Sequence, residues 1–175
     1  MSERPQFVFG YGSLAAGVAM LPVRLRGHRR VWGVAMDNTV DIPGYKSYRS
    51  RLDGTRPAVF VAFLDIVADA SATTGGALIA VDDGALRMLD ERERNYERID
   101  VTTAVEGAPP GTVWAYRGSA AGRARLARGV RQGSAVVDVA YVQAVRAGLA
   151  ALGCDDDGLD PASLPLMSLE RVELP

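Results

Sequence analysis

Two places in this chain carry residue types and spacings that suit chemistry. The first is a helix, read from Asp82 to about Arg94 and capped at its start by Asp82-Asp83. At about 100° per residue, Leu86 and Leu89 define its apolar face, and Glu93 falls on that same face while Glu91 and Arg94 point elsewhere. A carboxylate turned inward is costly unless it is paired or used. Burial also raises its pKa toward the range useful for proton transfer at neutral pH. The same position suits a helix-end ion pair with Arg98 or another arginine, and the residue pattern leaves both readings open.

The second place is Gly10-Tyr11-Gly12-Ser13-Leu14, directly after the short strand Phe7-Val8-Phe9. Glycines at both sides of Tyr11 let the backbone turn sharply and let N–H groups approach a ligand without Cβ obstruction. Such a loop suits a carboxylate or a developing oxyanion, or it is simply a tight turn. Gly10-x-Gly12-x-x-Ala15, with Asp37 further on, also fits a dinucleotide fingerprint. Pro22 cuts short the helix that this reading requires, and no βαβ succession follows. Tyr96 and Tyr116 are placed to line a polar pocket or to pack at the core edge. His28, the only histidine, lies among Arg24, Arg26, Arg29 and Arg30, where positive charge disfavours the imidazolium of a catalytic triad. The arginine run itself reads as the solvated face of a strand. Cys154 has no second thiol beside it, and the Asp155-Asp156-Asp157 run lacks calcium-loop spacing, so no metal site is expected.

The elements that must position these residues are mostly strands. Val23 to Arg26, Arg29 to Met36, Ala58 to Val67 and Ala77 to Val81 read as strands, and Asp41 to Thr55 as a loop. Arg98 to Val105 and Thr112 to Tyr116 read as a hairpin around Pro109-Pro110-Gly111. Gly118 to Gly133, rich in Arg, Ala and Gly, shows no period and reads as a loop or mobile flap: either a solvated connector or a lid in which Arg123, Arg125, Arg128 or Arg131 meets a substrate carboxylate. Asp138 to Leu152 is a second helix, and the segment after Pro161 is an extended surface tail. Strands do not alternate with crossover helices, so the expected class is α+β, a small mixed and mostly antiparallel β-barrel with flanking helices. The 175 residues read as one domain, with a core over 6–152.

Composition bounds the partners. Hydrophobic residues at 48% and charged residues at 23% exclude general disorder. A net charge of -1 and a pI near 5.8 give no reason to expect nucleic acid or an anionic membrane as partner. A single cysteine, with no signal-peptide segment and no apolar stretch of roughly 20 residues, points to a cytoplasmic chain. A monomer or a homodimer fits equally.

Phe9-Gly10-Tyr11-Gly12-Ser13-Leu14 resembles the N-terminal Tyr-Gly-Ser loop of the gamma-glutamylcyclotransferase superfamily. Leu89-Asp90-Glu91-Arg92-Glu93, followed by Tyr96-Glu97-Arg98, resembles that family's Leu-Asp-x-x-Glu helix end and its Tyr-x-Arg strand. The two motifs stand in the family's order, and the resemblance spans roughly residues 6 to 117. It implies a small β-barrel and a cofactor-free enzyme of lyase or acyltransferase type. Its substrate is a small gamma-glutamyl compound, converted to 5-oxoproline and a free amine as in glutathione metabolism. It also implies that Glu93 is the general acid/base and that Tyr11 to Leu14 hold the gamma-glutamyl group. Leu14 stands where some members have Asn, and no aromatic residue follows it as in the glutathione-degrading branch. A ligand-binding module without chemistry on the same fold is the alternative, with a nucleotide-binding oxidoreductase behind it. No cofactor is called for, so 5-oxoproline release should persist in excess chelator. Loss of activity that a divalent ion restores would contradict this.

Overall fold

The computed structural model describes residues 4–16 and 21–175. Its frame is two long antiparallel strands, β2 (Leu21–Asp37) and β4 (Phe60–Val81), paired from Leu21↔Leu78 to Asp37↔Phe60. The sequence-predicted strand pairs 23–26 with 29–36 and 58–67 with 77–81 are thus each one continuous strand. The signals that seemed to divide β2 mark irregularities, with register shifts between Arg26 and His28 and between Trp32 and Val34. β1 (Gln6–Gly10) lies antiparallel to β4 and parallel to β7 (Thr112–Gly118), and β5 (Tyr96–Asp100) closes this side by pairing with β7. β6 (Val105–Glu106) pairs with Leu25 and Arg24 of β2, so the expected 98–105 hairpin partner of β7 is only its first part, within β5.

A parallel strand, β8 (Ala135–Asp138), joins β4 and carries the short β9 (Leu166–Met167), completing an eight-stranded sheet among the described residues. Within this sheet four strand pairings are antiparallel and three parallel. The sheet curls into a half barrel with three α-helices around it among the described residues, and the class is α+β.

The region 41–55 is not all loop. β3 (Lys46–Ser50) lies there, paired antiparallel with β10 (Leu169–Glu173) as a two-stranded sheet. The C-terminal segment is therefore extended but paired, and Leu169 is buried. No local signal in Leu166–Glu173 announced a partner over a hundred residues away.

The helices are α1 (Asp83–Arg92), α2 (Ala120–Arg131) and α3 (Val139–Ala151). α2 overturns the reading of 118–133 as a loop or flap. Ser119 caps it, accepting the Gly122 N–H at 3.0 Å. Gly122 and Gly129 hid it by lowering helix propensity, and both are required by close packing. A Cβ at Gly122 would lie 2.7 Å from the Asn95 carbonyl oxygen, and one at Gly129 would lie 2.7 Å from Phe60 Cβ. The helix backbone thus rests directly on the sheet. Three of its four arginines are held by the protein: Arg123 by Asp65 at 2.9 Å, Arg125 by the Ala35 carbonyl at 2.8 Å and Asn95 Oδ1 at 2.6 Å, Arg128 by Asp37 at 3.0 Å.

Asp65 interrupts the buried run Phe60–Ile66 and is itself fully buried. Its Oδ1 accepts the N–H of Gly118 at 2.6 Å and of Ile66 at 2.7 Å, while Oδ2 accepts Arg123 Nε–H at 2.9 Å. One carboxylate therefore ties β4, β7 and α2 together, with its lone pairs answered. Among the described residues no helix is long and apolar enough to cross a membrane. Asp65→Ala should lower unfolding free energy by about 3 kcal/mol in urea titration, because two buried N–H groups and Arg123 lose their acceptor. A loss within experimental error of zero would show that this tie contributes nothing.

Candidate active site

Glu93 sits where α1 stops. Its N–H still donates to the Leu89 carbonyl at 2.8 Å, but its φ of -87° and ψ of 52° leave the helix. Its own carbonyl then accepts the Tyr96 N–H at 2.9 Å, turning the chain into β5. Leu86, buried seven residues earlier, pins the helix face that aims Glu93 inward. The helix therefore ends at Arg92, two residues before its expected limit.

The Glu93 side chain is 14% exposed and lines two adjoining cavities. The smaller, of about 30 Å³, is bounded by the β1–loop segment Phe9–Leu14, Leu64, Tyr96, Tyr116 and Tyr141. Gly10, Tyr11, Gly12, Ser13, Leu14, Tyr96 and Tyr116, the residues singled out from the sequence, thus all meet Glu93 at one chamber. The larger cavity, of about 340 Å³, shares Ser13, Glu93, Tyr96 and Tyr141 with it and extends toward Lys46, Tyr48 and Arg171.

The loop geometry explains its glycines. After β1 the chain enters a four-residue 3-10 turn, Ser13–Ala16, with the Ala15 N–H on the Gly12 carbonyl at 2.9 Å. A Cβ at Gly10 would lie 2.9 Å from Leu14, and one at Gly12 would lie 3.0 Å from the Tyr141 hydroxyl. The dinucleotide reading needs a full helix here and a parallel βαβ unit; β1 instead meets a 3-10 turn and pairs antiparallel with β4. Arg30 anchors the loop from below. Its guanidinium donates to the carbonyls of Tyr11 at 2.8 Å, Gly75 at 2.7 Å and Asp157 at 2.8 Å. At 3% exposed it is not part of the solvated arginine face that its neighbours form, and burial pulls its pKa down.

The tyrosines frame the chamber through protein contacts. The Tyr11 hydroxyl donates to the Tyr116 carbonyl, the Tyr96 hydroxyl to the Leu64 carbonyl at 2.7 Å, and the Tyr116 hydroxyl to Asp90 Oδ1 at 2.8 Å. Burial first, then nearby carboxylates or phenols, pushes all three pKa values up, so they remain neutral hydroxyls at any ordinary pH. His28 lines neither cavity.

Burial raises the pKa of Glu93, against the opposing pull of Arg92, Lys46 and Arg171. The ion-pair reading of this residue is also realised, in modest form. Arg92 Nε lies 3.4 Å from Glu93 Oε1, but the arginine is half exposed, while Arg98 pairs with Asp90 at 3.2 Å. The site thus holds a carboxyl whose charge is penalised and only partly compensated, beside the Tyr11–Leu14 loop.

Reasoning from sequence missed Lys46, Tyr48, Asp138, Tyr141 and Arg171, which line the larger cavity. Lys46 and Tyr48 were read as loop, and Arg171 as tail. Lys46 alone left a signal, as the only lysine in the chain. Among the described residues no cluster of three or more His, Cys, Asp or Glu side chains is placed to hold a metal.

Comparison with known proteins agrees with this architecture. A gamma-glutamyl cyclotransferase structure superposes with a TM-score of 0.52 at 13% identity, over 85% of this chain and 80% of the other. An uncharacterized human protein gives 0.54 at 16% identity, over 86% and 82%. A yeast gamma-glutamyl cyclotransferase specific to glutathione gives 0.50 at 12%, over 89% and 94%. At these identities the likeness is one of fold. No curated protein matches the chain at a significant level. The sequence pattern of the family described as gamma-glutamyl cyclotransferase, AIG2-like matches residues 8–134, which take in both the Tyr11–Leu14 loop and Glu93. The chain belongs to the gamma-glutamyl cyclotransferase, AIG2-like family.

Proposed function

We propose that the protein is a cofactor-free cyclotransferase that converts a gamma-glutamyl compound to 5-oxoproline and a free amine, with Glu93 as general acid/base. The observation that carries this reading is the buried, partly uncompensated Glu93 carboxyl facing the Tyr11–Leu14 loop across one chamber. The family membership supplies the reaction class.

The reaction needs little from the protein beyond position and proton transfer. The substrate's α-ammonium must lose a proton before its nitrogen can attack the γ-carbonyl carbon. Attack forms the lactam C–N bond, and the bond from the γ-carbon to the departing nitrogen then breaks. The α-nitrogen ends as a lactam N–H, having given up two protons. The departing amine takes up two and leaves as an ammonium, so no net proton is released. Glu93 is the group that carries protons from one nitrogen to the other. Because the ring closes within one molecule, no protein nucleophile is required. The loop holds the substrate folded and favours the carbonyl oxygen as charge develops on it.

Glu93→Gln should keep the fold and reduce 5-oxoproline release by on the order of a hundredfold or more, measured on purified protein. Unchanged turnover would assign the base elsewhere. Stability separates this role from a structural ion pair. The folded-state pKa of Glu93 is raised above its ordinary value of 4.5. Its ionised form therefore costs stability at neutral pH, and the cost is relieved as pH falls through the raised value. The Gln variant should melt no lower than wild type at pH 7, and its advantage should vanish below the ordinary glutamate pKa. A marked drop in Tm at pH 7 would show that the pair with Arg92 is what the residue is for.

A further inference from the structure

Lys46 is the only lysine among twenty basic Lys and Arg residues. It opens β3 and lines the larger cavity together with Glu93. Its ammonium lies 4.1 Å from the Phe63 ring centroid and 5.5 Å from that of Tyr45. The other charges of that cavity already have protein partners. Arg92 lies 3.4 Å from Glu93, and Arg171 lies 2.6 Å from Glu173. Asp138 accepts the N–H groups of Ala140 and Leu169, both at 3.2 Å. Among the described residues, Lys46 has no carboxylate at ion-pair distance and no hydrogen-bond acceptor; aromatic faces are what it meets. A cation sunk in this way gains most from an anion that a ligand brings.

We infer that Lys46 binds a free carboxylate on the leaving half of the substrate, which makes the released amine an amino acid or peptide rather than a simple alkylamine. The inference rests on the cyclotransferase reading for which half of the substrate lies there. With the γ-carbonyl at Glu93 and the glutamyl head at the loop, the departing group extends into the larger cavity, whose walls include Tyr45, Tyr48 and Phe63. Lys46 stands in that part. Glu93 and Arg92 face it from the end of α1, and Arg171 and Glu173 face it from β10. Burial, then Arg171, brings its amine down to about 8, so it is charged at neutral pH and loses its charge within reach of mild alkali. Carboxylate recognition should then weaken as pH rises through that range in the empty enzyme, and at somewhat higher pH once an anion is bound.

The test compares gamma-glutamylalanine with its C-terminal amide. Wild type should favour the acid by about tenfold or more in kcat/KM, mostly through KM. Lys46→Met should bring that ratio close to one, and Lys46→Arg should keep part of it; Lys46→Gln serves as a second neutral variant should the Met variant melt early. A wild-type ratio near one, or a ratio that the neutral variants leave unchanged, would overturn the inference. Calorimetric binding of the same two compounds to Glu93→Gln, with and without Lys46→Met, gives a readout free of turnover. Acid-selective binding that depends on Lys46, with no 5-oxoproline formed by wild type from either compound, would sink the cyclotransferase reading and uphold carboxylate recognition. Release of 5-oxoproline from both at equal efficiency would do the reverse.

Discussion

The site depends on a carboxyl group placed where ionisation is expensive. Glu93 is held at the end of a helix whose last turn cannot continue, because its ψ of 52° and the Tyr96 N–H bond redirect the chain into β5. The side chain is committed to the cavity by the backbone, and Arg92 offers only a half-exposed, 3.4 Å partner. A fully answered carboxylate would be stable and chemically inert. Glu93 keeps a raised pKa because burial outweighs the three cations that oppose it.

Asp65 shows the contrasting solution in the same molecule. It is more deeply buried than Glu93, yet two backbone N–H groups and Arg123 satisfy it. Arg30 is a further case, a buried cation spread over three backbone carbonyls, one of them in the Tyr11 loop. These two groups fix the walls of the site: Asp65 by joining β4, β7 and α2, Arg30 by holding the loop to β4 and to the segment after α3. Burial with full hydrogen bonding builds the scaffold; Glu93 and Lys46 lack such full pairing, which is why the proposed chemistry and recognition fall on them. Arg123, Arg125 and Arg128 of α2 belong with the scaffold. Arg125 reaches Asn95, a wall residue of the larger cavity, so α2 supports the site from behind rather than covering it.

What could be read from sequence was what is local in character. Glu93 was visible from the spacing of Leu86 and Leu89, and the loop from its two glycines, because helix period and turn chemistry act within a few residues. The strands of β2 and β4 were visible as apolar runs, but their continuity was not, since irregularities in the ladder look like ends. α2 was hidden by glycines that serve contacts with Asn95 and Phe60, a case of tertiary packing overriding local propensity. The half of the cavity that bears Lys46, Tyr48 and Arg171 was illegible for a related reason. β3 and β10 form only by pairing with each other across more than a hundred residues, and neither pattern names its partner.

In the proposed mechanism Glu93 has a pKa raised above the ordinary glutamate value and its ionised form takes the substrate's proton. Carbon-13 NMR of glutamate-labelled protein, with the Glu93 resonance assigned by its loss in the Gln variant, measures that titration directly. The midpoint should lie above the ordinary value of 4.5, and the acid limb of kcat/KM should fall at the same pH. A Glu93 midpoint at or below the ordinary value, or an acid limb that does not follow it, would rule out Glu93 as the base.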